Sequence, residues 1–300
     1  MPLPRILLIG RIGQVGWELR RVLAPMANVT CVEFPEIDLT RADSIRQHIR
    51  AAQPQVIINA AAYTAVDKAE TDYDVAMKVN GIAPGILAEE AKACGALLVH
   101  YSTDYVFDGA KSAPYVETDA PKPLGAYGRT KLAGEIAVQQ SGAPHLLFRL
   151  CWVYGARGHN FMLTMMRLAR ERETLRVVSD QIGSPTWSRL IAEATAQALR
   201  QTLADGDPSR FSGTYHLASS GSTSWHGFAE AIIRRMSAEG RKCSQVLAIP
   251  STEYLLPSPR PKNSVLNCDK LESVFGLRIP AWETGLNLVL EQLSESGSVR

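Results

Sequence analysis

The chain opens on an apolar run, Arg5 to Ile9, that stops at Gly10, and runs of the same kind return through the first half. Asn28 to Glu33, Val56 to Asn59, Leu97 to Tyr101 and His145 to Leu150 are each short and rich in aliphatic residues. Between them lie longer stretches, such as Arg41 to Ala52 and Gly81 to Cys94, whose apolar residues recur every three or four positions. Near-continuous apolar runs predict strands buried on both faces, and the amphipathic stretches predict the helices that cover them. Their alternation predicts an α/β protein built on a doubly wound parallel sheet. The second half is less regular. Helices are predicted over Phe161 to Arg172, Ser188 to Leu203, Trp225 to Ser237 and Trp282 to Leu293, with proline-rich connections such as Ile249 to Pro261. The expected organisation is a dinucleotide-binding domain over 1–150 and a smaller α/β substrate-binding domain over 151–300, with some later segments returning to the first.

The junction after the first run carries the first chemistry. Gly10-Arg11-Ile12-Gly13-Gln14-Val15-Gly16 leaves a strand and opens a helix. In such a turn Gly10 takes the tight bend, Gly13 lets backbone approach a diphosphate, and Gly16 lets the helix pack closely on the sheet. The helix N-terminus then offers N–H groups and a positive dipole end to the phosphates. This is the Rossmann-type arrangement, with the spacing G-x-x-G-x-x-G. Glu33, ending the second strand, is placed to bond a ribose 2′-hydroxyl, whereas Arg11 would attract a 2′-phosphate; the two cues oppose each other, so the cofactor is NADPH or NADH. Asp38-Leu39 follows the second strand and suits either an adenine contact or, for Asp38, a cap before the next helix.

Composition narrows the partners. A net charge of +2 over 300 residues gives no bulk electrostatic case for nucleic acid or a membrane surface. No apolar run approaches the roughly 18 residues that span a bilayer. The N-terminal MPLPRILLIG reads as a first strand and not as a secretion signal. The five cysteines are odd in number and scattered, without metal or disulfide spacing, which suits a soluble protein of the reducing cytoplasm.

Two later segments complete the chemistry. Tyr127 and Lys131 stand at i and i+4, on one face of a predicted helix. A free phenol has a pKa of about 10, and a neighbouring ammonium is expected to lower it. Such a tyrosine can give its proton to an alkoxide as hydride arrives at the adjoining carbon. Ser102-Thr103-Asp104-Tyr105-Val106-Phe107-Asp108-Gly109 follows directly on a buried run. At the C-terminal edge of a parallel sheet, the Thr103 hydroxyl either polarises a substrate carbonyl or simply caps the strand end.

Together these residues resemble the extended short-chain dehydrogenase/reductase superfamily. Longer strings are similar to its dTDP-4-dehydrorhamnose reductase family. They are GRIGQVGWEL from Gly10, NAAAYTAVDKAE from Asn59, HYSTDYVFDG from His100, PLGAYGRTKLAGE from Pro123, FRLCWVYG from Phe148, DQIGSPT from Asp180 and RPKNSVLN from Arg260, in order along nearly the whole chain. The resemblance implies Tyr127 as proton donor, Lys131 as its partner and ribose contact, and Thr103 at the 4-keto group. It implies Gly13, Gln14 and Val15 at the cofactor phosphates, and Glu33, Asp38 and Leu39 near the adenosine. Ala62, Tyr63, Thr64 and Tyr101 would line the nicotinamide half. Thr103, Asp104, Tyr127 and Trp152 would meet the sugar, and Arg260 the substrate diphosphate or nucleotide. The implied reaction is NAD(P)H-dependent reduction of dTDP-6-deoxy-L-lyxo-4-hexulose to dTDP-L-rhamnose, the last step in making that sugar nucleotide for cell-surface polysaccharide.

Some relatives hold magnesium with acidic side chains at a dimer interface. Here Glu18 matches one position, but Arg189 and Gln292 stand at the others, and an arginine repels the ion. No metal is therefore expected, and the molecule should be a monomer or a metal-independent homodimer. Two rival readings remain. A nucleotide-sugar dehydratase of this superfamily follows its threonine with Asp-Glu, whereas Asp104 is followed by Tyr105; an epimerase is a related possibility. A non-catalytic, cofactor-binding subunit is the other rival, as the regulatory subunit of methionine adenosyltransferase resembles the same family. Intact Thr103, Tyr127 and Lys131 favour catalysis.

Overall fold

A computed structural model of the chain describes residues 3–295. Five of its strands are β1 (Arg5–Ile9), β2 (Asn28–Val32), β3 (Val56–Asn59), β4 (Leu97–Thr103) and β5 (His145–Leu150). They form a parallel sheet in the order β2-β1-β3-β4-β5, extended beyond β5 by the strand Gly213–Leu217. All four positions of β3 and all seven of β4 are buried, because helices cover both faces. On one side, helix α1 (Gln14–Val22) packs against the helix Ser188–Asp205. On the other lie α2 (Ala42–Ala52), α4 (Ala83–Cys94) and α5 (Ala126–Ser141). A short α3 (Tyr73–Met77) runs through a π-turn at Lys78–Ile82 into α4.

The order reverses between β1 and β3. The chain leaves β1 outward to β2 and returns to β3 on the other side. A reversal of this kind opens a crevice at the C-terminal ends of the strands. Gly10 ends one wall and Ala60-Ala61 begins the other. The approach is close enough that a Cβ on Gly10 would lie 2.6 Å from the Ala61 nitrogen.

The remaining residues build a second core around Met162, Met166, Trp187, Phe228, Trp282 and Leu286. A parallel pair, Thr174–Val178 with Gln245–Ile249, and the helices Phe161–Glu171, Trp225–Arg235 and Trp282–Glu295 enclose it. The segment around Ser258 to Ser264 crosses back toward β4 and α5. It is anchored there by Asp67, which accepts the Ser258 backbone N–H and pairs with Arg260 through the same carboxylate.

Candidate active site

The glycine turn is shaped as an anion cradle. Gly10 has φ +93°, a conformation other residues avoid. A Cβ on Gly16 would lie 2.0 Å from the Gly10 carbonyl oxygen, so α1 can lie this close to the turn only with glycine there. Gly13 caps α1 and no side chain satisfies the first turn, leaving the N–H donors of Gln14, Val15 and Gly16 facing the crevice. Ser102, the penultimate residue of β4, has a buried hydroxyl without a partner. The uncapped donors of the glycine turn fit the diphosphate of a dinucleotide. The Gln14 side chain is turned aside, accepting from Asn160 at 3.0 Å.

The opposed charges at the adenosine end are both occupied. Arg11 donates to Glu36 at 2.6 Å and to the Cys31 carbonyl, while Glu33 accepts the Ile12 N–H. Asp38 does not cap α2. It closes a local turn by accepting from the Thr40 N–H and hydroxyl, and Arg41 stands at the cap position. Leu39 packs at the edge of the core beneath β1 and β2.

Ala62, Tyr63 and Thr64 follow β3 along the crevice. The Tyr63 backbone is clamped on both sides by Asn80, which donates to its carbonyl at 3.0 Å and accepts its N–H at 2.9 Å. The Tyr63 hydroxyl donates to Asp72. Tyr101 lies within β4. Its ring faces the opposite side of β4, stacked beside Phe148, and its hydroxyl donates to Thr195 at 2.9 Å. Burial pushes this phenol up, out of any proton exchange. The Tyr101 carbonyl is also engaged within the fold.

That carbonyl receives Lys131, whose Nζ donates to it at 2.6 Å. Lys131 is fully buried, and burial lowers its pKa to about 8 against the pull of Glu135. Burial also pushes the Tyr127 phenol up to about 12, opposed by Thr103 and reinforced by the Asp104 charge. Lys131 is not among the groups that shift the phenol, so the expected lowering does not appear. Sharing a helix face brings the two stems together, but the long lysine chain reaches past the phenol to the stronger acceptor on β4.

Thr103 ends β4 and does two things at once. Its oxygen accepts the Tyr105 N–H, capping the strand end, and its hydroxyl donates to Asp104 at 2.9 Å. Asp104 is enclosed by Thr103, Ser264 and the Cys151 thiol, and burial raises its pKa to about 6. Tyr105 meets the Tyr127 ring edge-on at 5.9 Å. A small hollow beside them is lined by Tyr105, Leu124, Gly125, Tyr127, Ser258 and Pro261. Arg260 lies at its rim, donating to Asp67 at 2.9 Å and to the Ser258 carbonyl.

Trp152 has φ +44°, a strained conformation for a tryptophan. Its indole stacks on Trp225 at 3.5 Å, and its other face lies against Gly183, where a Cβ would fall 2.4 Å from the ring. Both faces are covered, so only the ring edge is left for a ligand.

Several residues that organise the site were not singled out from sequence. Asn80 sets the Tyr63 backbone and also reaches Thr130 on α5. Glu70 accepts the Ala126 N–H at 2.8 Å and so caps the helix that carries Tyr127. Asn59 and His100 form a buried chain to Lys131. Asn59 and His100 carried a signal, each a polar residue inside an otherwise buried strand, whereas Glu70 and Asn80 lie in partly exposed segments that gave none.

At the position near α1, Glu18 is buried and burial raises its pKa, with Arg189, Arg21 and Arg157 nearby opposing the rise. Arg189 pairs with Glu193 at 3.0 Å, and the Gln292 side-chain oxygen is buried without a partner.

A glycine cradle at the β1/β3 crossover, with a tyrosine and a lysine on the helix beside it, defines a dinucleotide-dependent reductase of the extended short-chain dehydrogenase/reductase type. The RmlD substrate binding domain model matches residues 4–295. The chain belongs to this family, that of the dTDP-4-dehydrorhamnose reductases. A Burkholderia thailandensis protein of that name is 48% identical over 294 residues, covering 96% of this chain and 99% of the relative. The Escherichia coli K12 protein of that name is 43% identical, with 96% and 97% covered. A solved Bacillus anthracis dTDP-4-dehydrorhamnose reductase, in complex with NADP, superposes with a TM-score of 0.87 at 34% identity, covering 97% of this chain and 99% of that one. The chain is an NAD(P)H-dependent oxidoreductase.

Proposed function

We propose that this chain reduces the 4-keto group of dTDP-6-deoxy-L-lyxo-4-hexulose to give dTDP-L-rhamnose. The observation that carries the reading is the convergence of Thr103, Tyr127 and Lys131 at the mouth of the β1/β3 crevice, in a chain whose relatives bear that enzyme's name. The nicotinamide cofactor supplies hydride to the carbonyl carbon when bound. Gly10, Gly13, Gln14, Val15 and Gly16 hold its phosphates; Glu33, Asp38 and Leu39 border its adenosine end; Ala62, Tyr63 and Thr64 border the other half.

Tyr127 gives its proton to the developing alkoxide, and Thr103 donates a hydrogen bond to the same oxygen. For Thr103 to do so, its hydroxyl must swing from Asp104 to the substrate. Lys131 serves the ribose and, once turned from the Tyr101 carbonyl, favours the phenolate left on Tyr127. A charge brought beside a phenol held near about 12 makes its proton easier to release during the reaction.

The sugar nucleotide would lie over Tyr105 and the Ser258 to Pro261 segment, most of its contacts coming from residues beyond 150. Trp152 would offer its edge to the sugar. Arg260 would reach the diphosphate by exchanging Asp67 for it. A monomer or a homodimer assembled without metal fits the Glu18, Arg189 and Gln292 set, and free cysteines throughout suit the cytoplasm.

The test is to supply purified protein with the 4-keto sugar nucleotide and NADPH or NADH. Cofactor oxidation coupled to dTDP-L-rhamnose formation is expected. Binding of cofactor without turnover would favour the regulatory-subunit reading.

A further inference from the structure

His100 lies in the middle of β4, fully buried, between Asn59 and Lys131. Its protonation can be worked out from its partners. The Asn59 side-chain oxygen accepts the backbone N–H of Ala61 at 3.2 Å. A backbone N–H can only donate, so this contact fixes which end of the amide is oxygen. The Asn59 nitrogen must then face His100 Nδ1, at 3.2 Å. An amide nitrogen also only donates, so Nδ1 must carry a lone pair. The imidazolium and the Nδ1–H tautomer are both excluded, and the ring proton is on Nε2. Burial and the Lys131 charge both drive this imidazole to its neutral form.

Nε2 lies 3.5 Å from Lys131 Nζ. An ammonium has three donors and no acceptor, so Nε2–H and an ammonium face each other as two donors. A free amine has a lone pair to receive Nε2–H while one of its own hydrogens still donates to the Tyr101 carbonyl. We propose that His100 is a positioning residue: locked by Asn59 with its proton on Nε2, it presents an N–H to Lys131 and favours the amine over the ammonium.

The other charged groups around Lys131 do not reverse this. Glu135, one turn along α5, favours the ammonium, but its carboxylate is already held by Arg149, whose Nε and Nη2 donate to it at 3.0 and 2.7 Å. Tyr127 on the same helix is a neutral phenol near neutral pH. His145 on β5 is itself driven toward its neutral form by burial. The Asn59-His100 pair thus sets the pH at which Lys131 ceases to be a cation. That functional consequence rests on the proposed role of Lys131; the tautomer does not.

The test uses the full chain with ¹⁵N-labelled histidine, the His100 signals being those lost in His100→Gln. A protonated Nε2 and an unprotonated Nδ1 are expected, and the opposite pattern would overturn the proposal without any assay of turnover. Asn59→Asp puts an acceptor against Nδ1 and should move the proton there, turning the Nε2 lone pair toward Lys131. The alkaline limb of kcat/KM should then rise by about one pH unit. A flipped tautomer with an unmoved limb would also overturn it. Should Asn59→Asp not fold, His100→Gln keeps a donor toward Lys131 and should hold the limb in place, whereas His100→Phe should shift it upward; equal limbs in the two variants count against the proposal.

Discussion

Thr103 donates its hydroxyl to Asp104 across 2.9 Å, so the group placed to polarise a substrate carbonyl is engaged by a neighbouring carboxylate. The Asp104 carboxyl has no solvent of its own and is raised from 3.8 to about 6 by burial. Above about pH 6 the folded chain therefore carries the cost of a buried carboxylate. As pH falls from about 6 toward 3.8, the folded form binds a proton that the unfolded form does not, and that cost is withdrawn. Asp104→Asn mimics the protonated form. It should raise Tm relative to the parent at about pH 8, with the gain shrinking toward about pH 4. Thermal melts across this range check it; a gain that grows in acid would contradict the assignment.

The second prediction concerns Trp152. A Cβ at Gly183 would meet its indole ring at 2.4–2.8 Å. Gly183→Ala should push the ring out of its stack with Trp225, changing the near-ultraviolet circular dichroism of the tryptophans. Because the edge offered to the sugar moves with it, KM for the sugar nucleotide should rise more than kcat falls. Stability should drop by roughly 1–3 kcal/mol, the range for overpacking. An unchanged spectrum and KM would show that the ring has room to yield.

Metal is the third. A dehydrated Mg²⁺ wants near-octahedral oxygen coordination, whereas Glu18 is buried among Arg21, Arg157 and Arg189. Treatment with EDTA should leave turnover and size-exclusion profile unchanged. A shift to smaller size, or activity lost and then restored by Mg²⁺, would show that other oxygens complete an ion site.

The fourth separates Tyr127 from Lys131. Tyr127→Phe keeps the ring and removes the proton, and should lower kcat by roughly 10²–10⁴-fold with cofactor affinity little changed. Lys131→Ala should weaken cofactor binding as well as kcat. Steady-state kinetics with a direct cofactor titration distinguish these; small, equal losses would mean the two do not act as acid and partner.

Much of the central sheet is legible because β1, β3, β4 and β5 are buried on both faces, which forces unbroken apolar runs. The strands Gly213–Leu217 and Gln245–Ile249 are not, since exposed and half-exposed positions interrupt their apolar pattern. The π-turn at Lys78–Ile82 carries Asn80, whose clamp on Tyr63 is a contact between separate segments that local periodicity does not record. The glycine turn, Thr103, Tyr127 and Lys131 could be named because their residue types and spacing carry the chemistry. The side of the sheet on which the Tyr101 ring packs was not legible, because a strand buried on both faces gives no signal of which side a residue takes. The Lys131 contact was missed because helix spacing places a stem and leaves open where a long chain ends. Arg260 and Asp67 meet across 2.9 Å although they lie far apart in sequence.

The most direct test of the central claim is the fate of hydride. Nicotinamide cofactor carrying deuterium at the transferable position should be oxidised with dTDP-6-deoxy-L-lyxo-4-hexulose by the intact chain, and the product examined by NMR and mass spectrometry. The account predicts dTDP-L-rhamnose with a single deuterium at C4, formed in step with cofactor oxidation and strongly slowed by Tyr127→Phe. Recovery of the 4-keto sugar without deuterium, while the chain binds cofactor normally, would contradict it.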